Sequence, residues 1–316
     1  MNVSVQDLTV AVASPGDATA MVEVIHAAFG ARPPLDPPST AIDETPESVR
    51  RAMSRGGAIY ATVAGRPAGV ILVAPAETGQ TVTFARVSVH PDFQRHGVAS
   101  AMITAAEELA ATLGHHRVEL FARAEFAELI AFWQHRGFVR DRDAPNGVIL
   151  SKLLPVAVTV PTAHDMQALG ERLADLLQPG DVVIASGDLG AGKTTLTQGI
   201  GRGLASAGPI ISPTFVLSRV HPSTTDRPTL VHVDAYRLRS PYELDDLDLD
   251  ATVPTAVTVV EWGQGIAEGL AEDRLEIDIW TSDPDGSATV DTSERIVTLT
   301  GVGPRWLAVD LARLAG

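Results

Sequence analysis

The sequence predicts a mixed α/β protein built as two units, and three observations lead there. Its 316 residues are about twice the size of a usual domain. A glycine-rich segment, Gly187-Asp188-Leu189-Gly190-Ala191-Gly192-Lys193-Thr194, lies between the apolar run 181–186 and a helix-like stretch at 195–204. Short β-type runs alternate with stretches of 3.6-residue apolar period in both halves. The first unit, 1–154, reads as a mixed, mostly antiparallel sheet with flanking helices. The second, 155–316, reads as a phosphate-loop sheet with antiparallel additions.

In the first unit a helix is expected at 18–29, followed by a proline-dense loop at 32–39 that can be neither helix nor central strand. Strands at 58–63 and 68–73 flank Ala64-Gly65-Arg66-Pro67, which has hairpin character. A longer strand at 81–89 leads through His90-Pro91-Asp92-Phe93 into Gln94-Arg95-His96-Gly97-Val98-Ala99. The helix expected at 100–113 has apolar positions at Met102, Ile103, Ala106, Leu109 and Ala110, and a strand follows at 117–121.

The segment 94–99 resembles the Q/R-x-x-G-x-G/A loop of the GNAT acetyltransferase family. Val87-Ser88-Val89 before it and Ala131-Phe132-Trp133-Gln134-His135-Arg136-Gly137-Phe138 after it fall in the family's order, so the resemblance spans residues 3–154. It implies the GNAT fold and acetyl-coenzyme A held at Val89, Gln94, Arg95, His96, Gly97, Val98 and Ala99. The pyrophosphate would sit on unpaired amides at a helix N-terminus. Many members carry a tyrosine four residues before the Gly-Phe pair as proton donor. Here Trp133 stands there, and an indole is no acid. Phe126 and Phe121 occupy the positions of the helix-opening asparagine and strand carboxylate of the ribosomal-protein N-acetyltransferases. Glu119 and Tyr60 are substitute candidates, so coenzyme A binding without catalysis and catalysis through a water-mediated proton path both stand. His115, His116 and His135 lack metal-ligand spacing and read as surface residues.

In the second unit a strand at 156–160 and a helix at 166–177, ended by Gln178-Pro179-Gly180, precede the glycine-rich segment. A buried strand feeding a glycine turn into a helix start aligns backbone amides on a polyanion, which marks a nucleotide site. Lys193 would bridge the β- and γ-phosphates, and the Thr194 hydroxyl would ligate Mg²⁺. Strands are expected at 210–217, 229–238, 255–262, 274–279 and 295–300. Glu261 ends one apolar strand, where the acid holding Mg²⁺ or its water belongs. Asp234 ends another and is suited to orient the attacking water, and Ser212-Pro213-Thr214-Phe215 has the character of a switch, with Thr214 sensing the γ-phosphate.

Gly-Asp-Leu-Gly-Ala-Gly-Lys-Thr-Thr at 187–195, Ser-Pro-Thr-Phe at 212–215, Val-Asp-Ala-Tyr-Arg-Leu at 233–238 and Val-Glu-Trp at 260–262 resemble, in order, the TsaE (YjeE) family of bacterial ATPases. The resemblance covers about 156–316. It implies ATP hydrolysis supporting synthesis of N6-threonylcarbamoyladenosine on tRNA, with docking on a TsaD–TsaB complex in which TsaD performs the transfer. Carried over, Asp188, Leu189, Gly190, Ala191, Gly192, Lys193, Thr194 and Thr195 hold ATP, Thr194 and Glu261 bind Mg²⁺, and Asp234, Glu261 and Thr214 serve catalysis. Tyr236 and Trp262 match family positions near the site, although buried aromatics are more often packing. The acidic stretch 243–250 lacks the turn glycine and terminal glutamate of a calcium loop and reads as a solvated face or partner-docking segment.

Composition frames these readings. Apolar residues make up 45% of the chain and charged residues 20%, an ordinary globular balance. The absence of cysteine excludes disulfides, thiolate metal sites and a cysteine nucleophile. No apolar run reaches membrane-spanning length, and residues 1–8 lack a basic stretch followed by an apolar one, so a soluble, cytoplasmic protein without membrane contact is expected. The net charge of −15 is uneven. Residues 1–154 carry 13 Lys+Arg against 16 Asp+Glu, and 155–316 carry 11 against 23, or −3 and −12. Such acidity either keeps the second unit soluble or repels nucleic acid, so tRNA is reached only indirectly, through the partner complex. The rival reading is a small-molecule phosphotransferase with a non-catalytic acyl-coenzyme A-sensing module, but no lid or arginine-rich acceptor clamp is apparent.

Overall fold

The computed structural model describes residues 7–76, 79–281 and 294–315. Residues 1–6, on which most of the reading of the N-terminus rests, lie outside them. The described chain divides into two compact units, Met1–Leu154 and Pro155–Gly316.

The first unit holds strands β1 (Leu8–Val12), β2 (Ala58–Val63), β3 (Arg66–Pro75), β4 (Thr81–Val89), β5 (Arg117–Arg123), β6 (Val139–Ala144) and β7 (Gly147–Leu153). Its helices are α1 (Ala18–Gly30), α2 (Pro46–Gly56), α3 (Val98–Thr112) and α4 (Ala127–Gln134). The sheet runs β1-β2-β3-β4-β5-β7-β6 and is antiparallel except at β4/β5. Alternation along the strands sorts two cores. Ile71, Val82, Phe84, Val118 and Leu120 pack with Met102, Ile103 and Trp133 of α3 and α4. Val70, Leu72 and Ala58 pack with Met21, Ile25 and Val49 of α1 and α2. The β2/β3 turn has positive φ at both Ala64 (49°) and Gly65 (74°), the twist a tight hairpin needs. Helix α2 starts on a reciprocal cap, with Thr45 Oγ1 accepting from the Ser48 amide and Ser48 Oγ from that of Thr45, and Pro46 in its first turn.

The parallel pairing of β4 with β5 ends at Thr83 and Glu119. Farther along β4 its register with β3 slips and Arg86 takes φ 51°. The C-terminal half of β4 is thus unpaired on its β5 side, next to the start of α3.

The second unit holds β8 (Val156–Val160), α5 (Ala163–Ala174), β9 (Val182–Gly187), α6 (Lys193–Gly203), β10 (Ser218–His221), β11 (Thr229–Asp234), α7 (Pro241–Asp245), β12 (Ala256–Glu261), β13 (Arg274–Thr281) and β14 (Arg295–Val302). The order is β10-β11-β12-β9-β13-β14-β8, with a parallel centre β11-β12-β9-β13 and antiparallel strands outside it. All six residues of β12 are buried, as expected for a parallel strand covered on both faces. Asp234 and Glu261 are register partners at the C-terminal ends of β11 and β12. Helices α5 and α6 approach closely at Gly170 and Gly199, where a Cβ would meet opposing backbone.

Several sequence expectations need correction. Residues 210–217 form coil and a turn, not a strand. Pro213 lacks a ladder donor, Leu217 adopts φ 63°, and the Ser212 and Thr214 hydroxyls are drawn to Asp234; the strand begins only at Ser218. The helix expected at 166–177 spans 163–174, started by Thr162, whose Oγ1 accepts from the Asp165 amide at 3.1 Å. Beyond Asp234 the chain leaves the sheet, so the strand expected at 229–238 is shorter. His115 and His116 are half-buried rather than on the surface, whereas His135 is exposed.

Candidate functional site

The phosphate loop is shaped by its glycines. Gly187 ends β9 at φ 139°, and a Cβ there would run into the Ile279 carbonyl; Gly190 and Gly192 also have positive φ. The Leu196 amide donates to Gly192 O at 2.8 Å, the first helical bond of α6, so the amides of Lys193, Thr194 and Thr195 precede it. Asp188, Leu189 and Gly190 are exposed, and Ala191 is buried with its amide on Asp188 O at 3.1 Å.

Lys193 folds across this loop. Its Nζ donates to Gly187 O at 2.7 Å and Asp188 O at 2.8 Å and lies 3.6 Å from the Trp262 ring centroid. Burial lowers its pKa, against the opposing pull of Glu261, Asp234 and Asp188.

Two buried carboxylates face the loop. Glu261 accepts from Thr194 Oγ1 at 2.8 Å through Oε2, and from His232 Nε2 at 2.7 Å and Thr197 Oγ1 at 3.3 Å through Oε1. Asp234 Oδ2 accepts from Thr214 Oγ1 at 2.6 Å and Ser212 Oγ at 2.7 Å, and Oδ1 accepts from the Tyr236 amide at 3.0 Å. Burial pushes the Asp234 carboxyl up, but the donors from Thr214, Ser212 and Tyr236 outweigh it and hold its pKa below the ordinary carboxylate value. Lys193, Thr194, Thr214, Asp234 and Glu261 line one cleft of about 450 Å³. Leu189, which lines the cleft, and Phe215, which follows the lining residue Thr214 in the chain, are each 85% exposed. Tyr236, 5.1 Å from Trp262, is 58% exposed and so is not the buried packing residue its aromatic character suggests.

Sequence reasoning missed His232 and Thr197. An ionisable residue inside the apolar run 230–233, two positions before Asp234, is the signal that could have found the first. In the acidic stretch Leu244 and Leu249 are buried while Asp245, Asp246, Asp248 and Asp250 are exposed, the pattern of a solvated face. Among the described residues no cluster of three or more His, Asp or Glu side chains is placed to hold a metal.

In the first unit, Val89 ends β4 and residues 94–99 lead into α3. Gln94 is extended, Arg95 takes φ 65°, and His96 Nδ1 lies 2.7 Å from Gln94 O. Gly97 is the left-handed cap of α3, and the Ala101 amide makes the first helical bond, to Gly97 O at 3.1 Å. The amides of Val98, Ala99 and Ser100 therefore precede the helical ladder beside the unpaired half of β4. Trp133 is buried edge-on against Phe138, at 4.9 Å and 70°, as part of the core. Glu119 is paired, its Oε2 accepting from Arg142 Nη2 at 2.8 Å. Burial, then Asp17 and Glu23, raises the Tyr60 pKa and keeps its phenol protonated.

A parallel strand, a glycine loop on a helix start, and two acids at adjacent strand ends define the second unit as a P-loop fold. Residues 160–289 match the family described as Threonylcarbamoyl adenosine biosynthesis protein TsaE, and residues 23–138 match the Acetyltransferase (GNAT) family. The chain is 53% identical over 154 residues to the tRNA threonylcarbamoyladenosine biosynthesis protein TsaE of Streptomyces coelicolor, covering 48% of this chain and 100% of that protein. It is 36% identical over 153 residues to the protein of the same name from Bacillus subtilis, covering 48% and 89%. The crystal structure of PaiA N-acetyltransferase from Thermoplasma acidophilum in complex with coenzyme A overlays 46% of this chain and 98% of its own, at 14% identity and a TM-score of 0.41. The chain belongs to the TsaE family through its second unit and carries a GNAT-type domain ahead of it.

Proposed function

We propose that the second unit is a Mg²⁺-dependent ATPase that supports N6-threonylcarbamoyladenosine synthesis on tRNA through a TsaD–TsaB complex in the cytoplasm. The first unit, on this reading, binds acetyl-coenzyme A and transfers its acetyl group to an amine. The observation that carries the ATPase reading is the convergence of Thr194, Thr214, Asp234 and Glu261 on one phosphate-loop cleft. The relatives' name, tRNA threonylcarbamoyladenosine biosynthesis protein TsaE, supports the pathway.

Thr194 Oγ1 and Glu261 Oε2, 2.8 Å apart on the lining of the cleft, fit Mg²⁺, which takes one or two protein oxygens and completes its shell with water and phosphate. When bound, the ion neutralises charge on the terminal phosphates. The amides at the start of α6, those of Lys193, Thr194 and Thr195, hold the phosphates, and Lys193 leaves the Gly187 and Asp188 carbonyls to reach them. Asp234, kept ionised by Ser212 and Thr214, orients a water for in-line attack on the γ-phosphorus. As the new P–O bond forms, the bond to the β-phosphate oxygen breaks, ADP departs and the water's proton passes to solvent. The exposed apolar side chains of Leu189 and Phe215 support docking on a partner.

The test is ATP turnover by the full chain with TsaD and TsaB. Lys193→Ala and Glu261→Ala are expected to abolish it, and undiminished turnover in either variant refutes the assignment. Calorimetry with acetyl-coenzyme A tests the first unit, and an absence of binding heat refutes that half.

A further inference from the structure

His232 has no part in the steps above, yet it is one of the least accessible polar residues of the second unit, with 0% exposure in the middle of β11. Its Nε2 lies 2.7 Å from Glu261 Oε1. A carboxylate only accepts, so Nε2 carries the hydrogen and donates. Thr197 Oγ1 gives the same oxygen a second, longer bond at 3.3 Å, from the first turns of α6. The other oxygen, Oε2, is turned to Thr194 in the phosphate cleft. His232 Nδ1 is buried and has no hydrogen-bond partner among the described residues. Its neighbours Leu230, Val231 and Val233 are the apolar residues a doubly covered parallel strand calls for. An imidazole with one nitrogen orphaned is a poor packing choice there. What it adds is direction, because a carboxylate tied through one oxygen presents the other.

We propose that His232 is a positioning residue that pins Oε1 of Glu261 so that Oε2, beside Thr194, faces the Mg²⁺–nucleotide. This rests on the ATPase reading of the same cleft. Glu261 has several rotatable bonds, and Thr197 alone, at 3.3 Å, is a weaker restraint than the 2.7 Å contact from the ring.

The experiment uses the full chain and a non-hydrolysable ATP analogue. Binding is followed by the change in tryptophan emission as Lys193 leaves the ring of Trp262, first in EDTA and then across a Mg²⁺ titration. In His232→Leu, analogue affinity in EDTA is expected to stay at the wild-type value. The Mg²⁺ concentration at the midpoint is expected to rise roughly tenfold to a hundredfold, the usual consequence of losing a hydrogen-bond partner behind a metal-binding carboxylate. His232→Gln, whose amide nitrogen reaches as far as Nε2, is expected to restore most of the wild-type midpoint, and the shorter His232→Asn is not. A wild-type midpoint in His232→Leu overturns the proposal. So does a His232→Gln midpoint no better than that of His232→Asn, a comparison that decides the matter if the leucine variant fails to fold. A wild-type chain whose analogue binding ignores Mg²⁺ overturns the ATPase reading itself, and is recognised before any variant is compared.

Discussion

Replacing Thr214 by alanine removes one of the two hydroxyls on Asp234 Oδ2, the closer at 2.6 Å, and leaves Ser212 at 2.7 Å and the Tyr236 amide at 3.0 Å. A hydrogen bond to a charged group contributes about 1.5–3 kcal/mol. With two donors remaining and the cleft open to water, the lower end applies, a loss of about 1.5 kcal/mol. For a unit of this size that lowers the melting temperature by about 3–6 °C. The loss has a pH signature. Asp234 titrates below its unfolded value, so its contribution is complete above that value and disappears as the pH falls through the folded one. The gap between wild type and Thr214→Ala should therefore stand in full near neutrality and close as the pH drops below about 4. Urea unfolding followed by tryptophan emission measures it, since Trp262, Trp280 and Trp306 all lie in the second unit. Thr214→Ser, which keeps the hydroxyl, should recover most of the loss. A gap that does not change between pH 3 and 7, or a serine variant as weak as the alanine one, refutes the reasoning.

Two further outcomes follow from burial. Trp133→Ala should destabilise the first unit by about 3–5 kcal/mol, because the indole fills the core against Phe138; chemical denaturation of that unit checks it. Arg305→Met strips a buried acid of its guanidinium, which donates to Asp181 Oδ2 at 3.0 Å, and should cost about 3–5 kcal/mol near pH 7. Burial raises the Asp181 pKa, opposed by the Gln178 amide and Arg305, so losing Arg305 raises it further. The deficit of Arg305→Met should shrink at acid pH, where Asp181 protonates, and stability curves at pH 4 and 7 decide this.

Much of the α/β organisation was legible because its signals are local. The strand into Gly187-Asp188-Leu189-Gly190 and the glycine start of α3 announce themselves through residue types that few other backbones need. The failures are non-local. Residues 210–217 have the apolar content of a strand, but Ser212 and Thr214 bond to an acid twenty or more positions away, and that contact bends the backbone out of the sheet. Helix α2 passed unread although Val49, Ala52 and Met53 keep a helical period and Thr45-Pro46 was a readable start; its low apolar content, with only Val49 fully buried, made the stretch look like loop. His232 looks like an interruption of an apolar strand until Glu261, on the neighbouring strand, is seen to be its partner. The acids at 234 and 261 were legible as strand ends. That they lie side by side required knowing which strands are neighbours.

Asp234 and Glu261 occupy one rung of the β11/β12 ladder. Sliding either strand by a single residue would send its acid to the apolar face and bring Val233 or Val260 to the cleft. The spacing of the two acids is thus a property of the sheet as a whole, and no loop adjustment can restore it once the pairing is wrong. Nucleotide binding by this unit should therefore appear only when the central sheet is in register, which makes the nucleotide a direct reporter of correct folding.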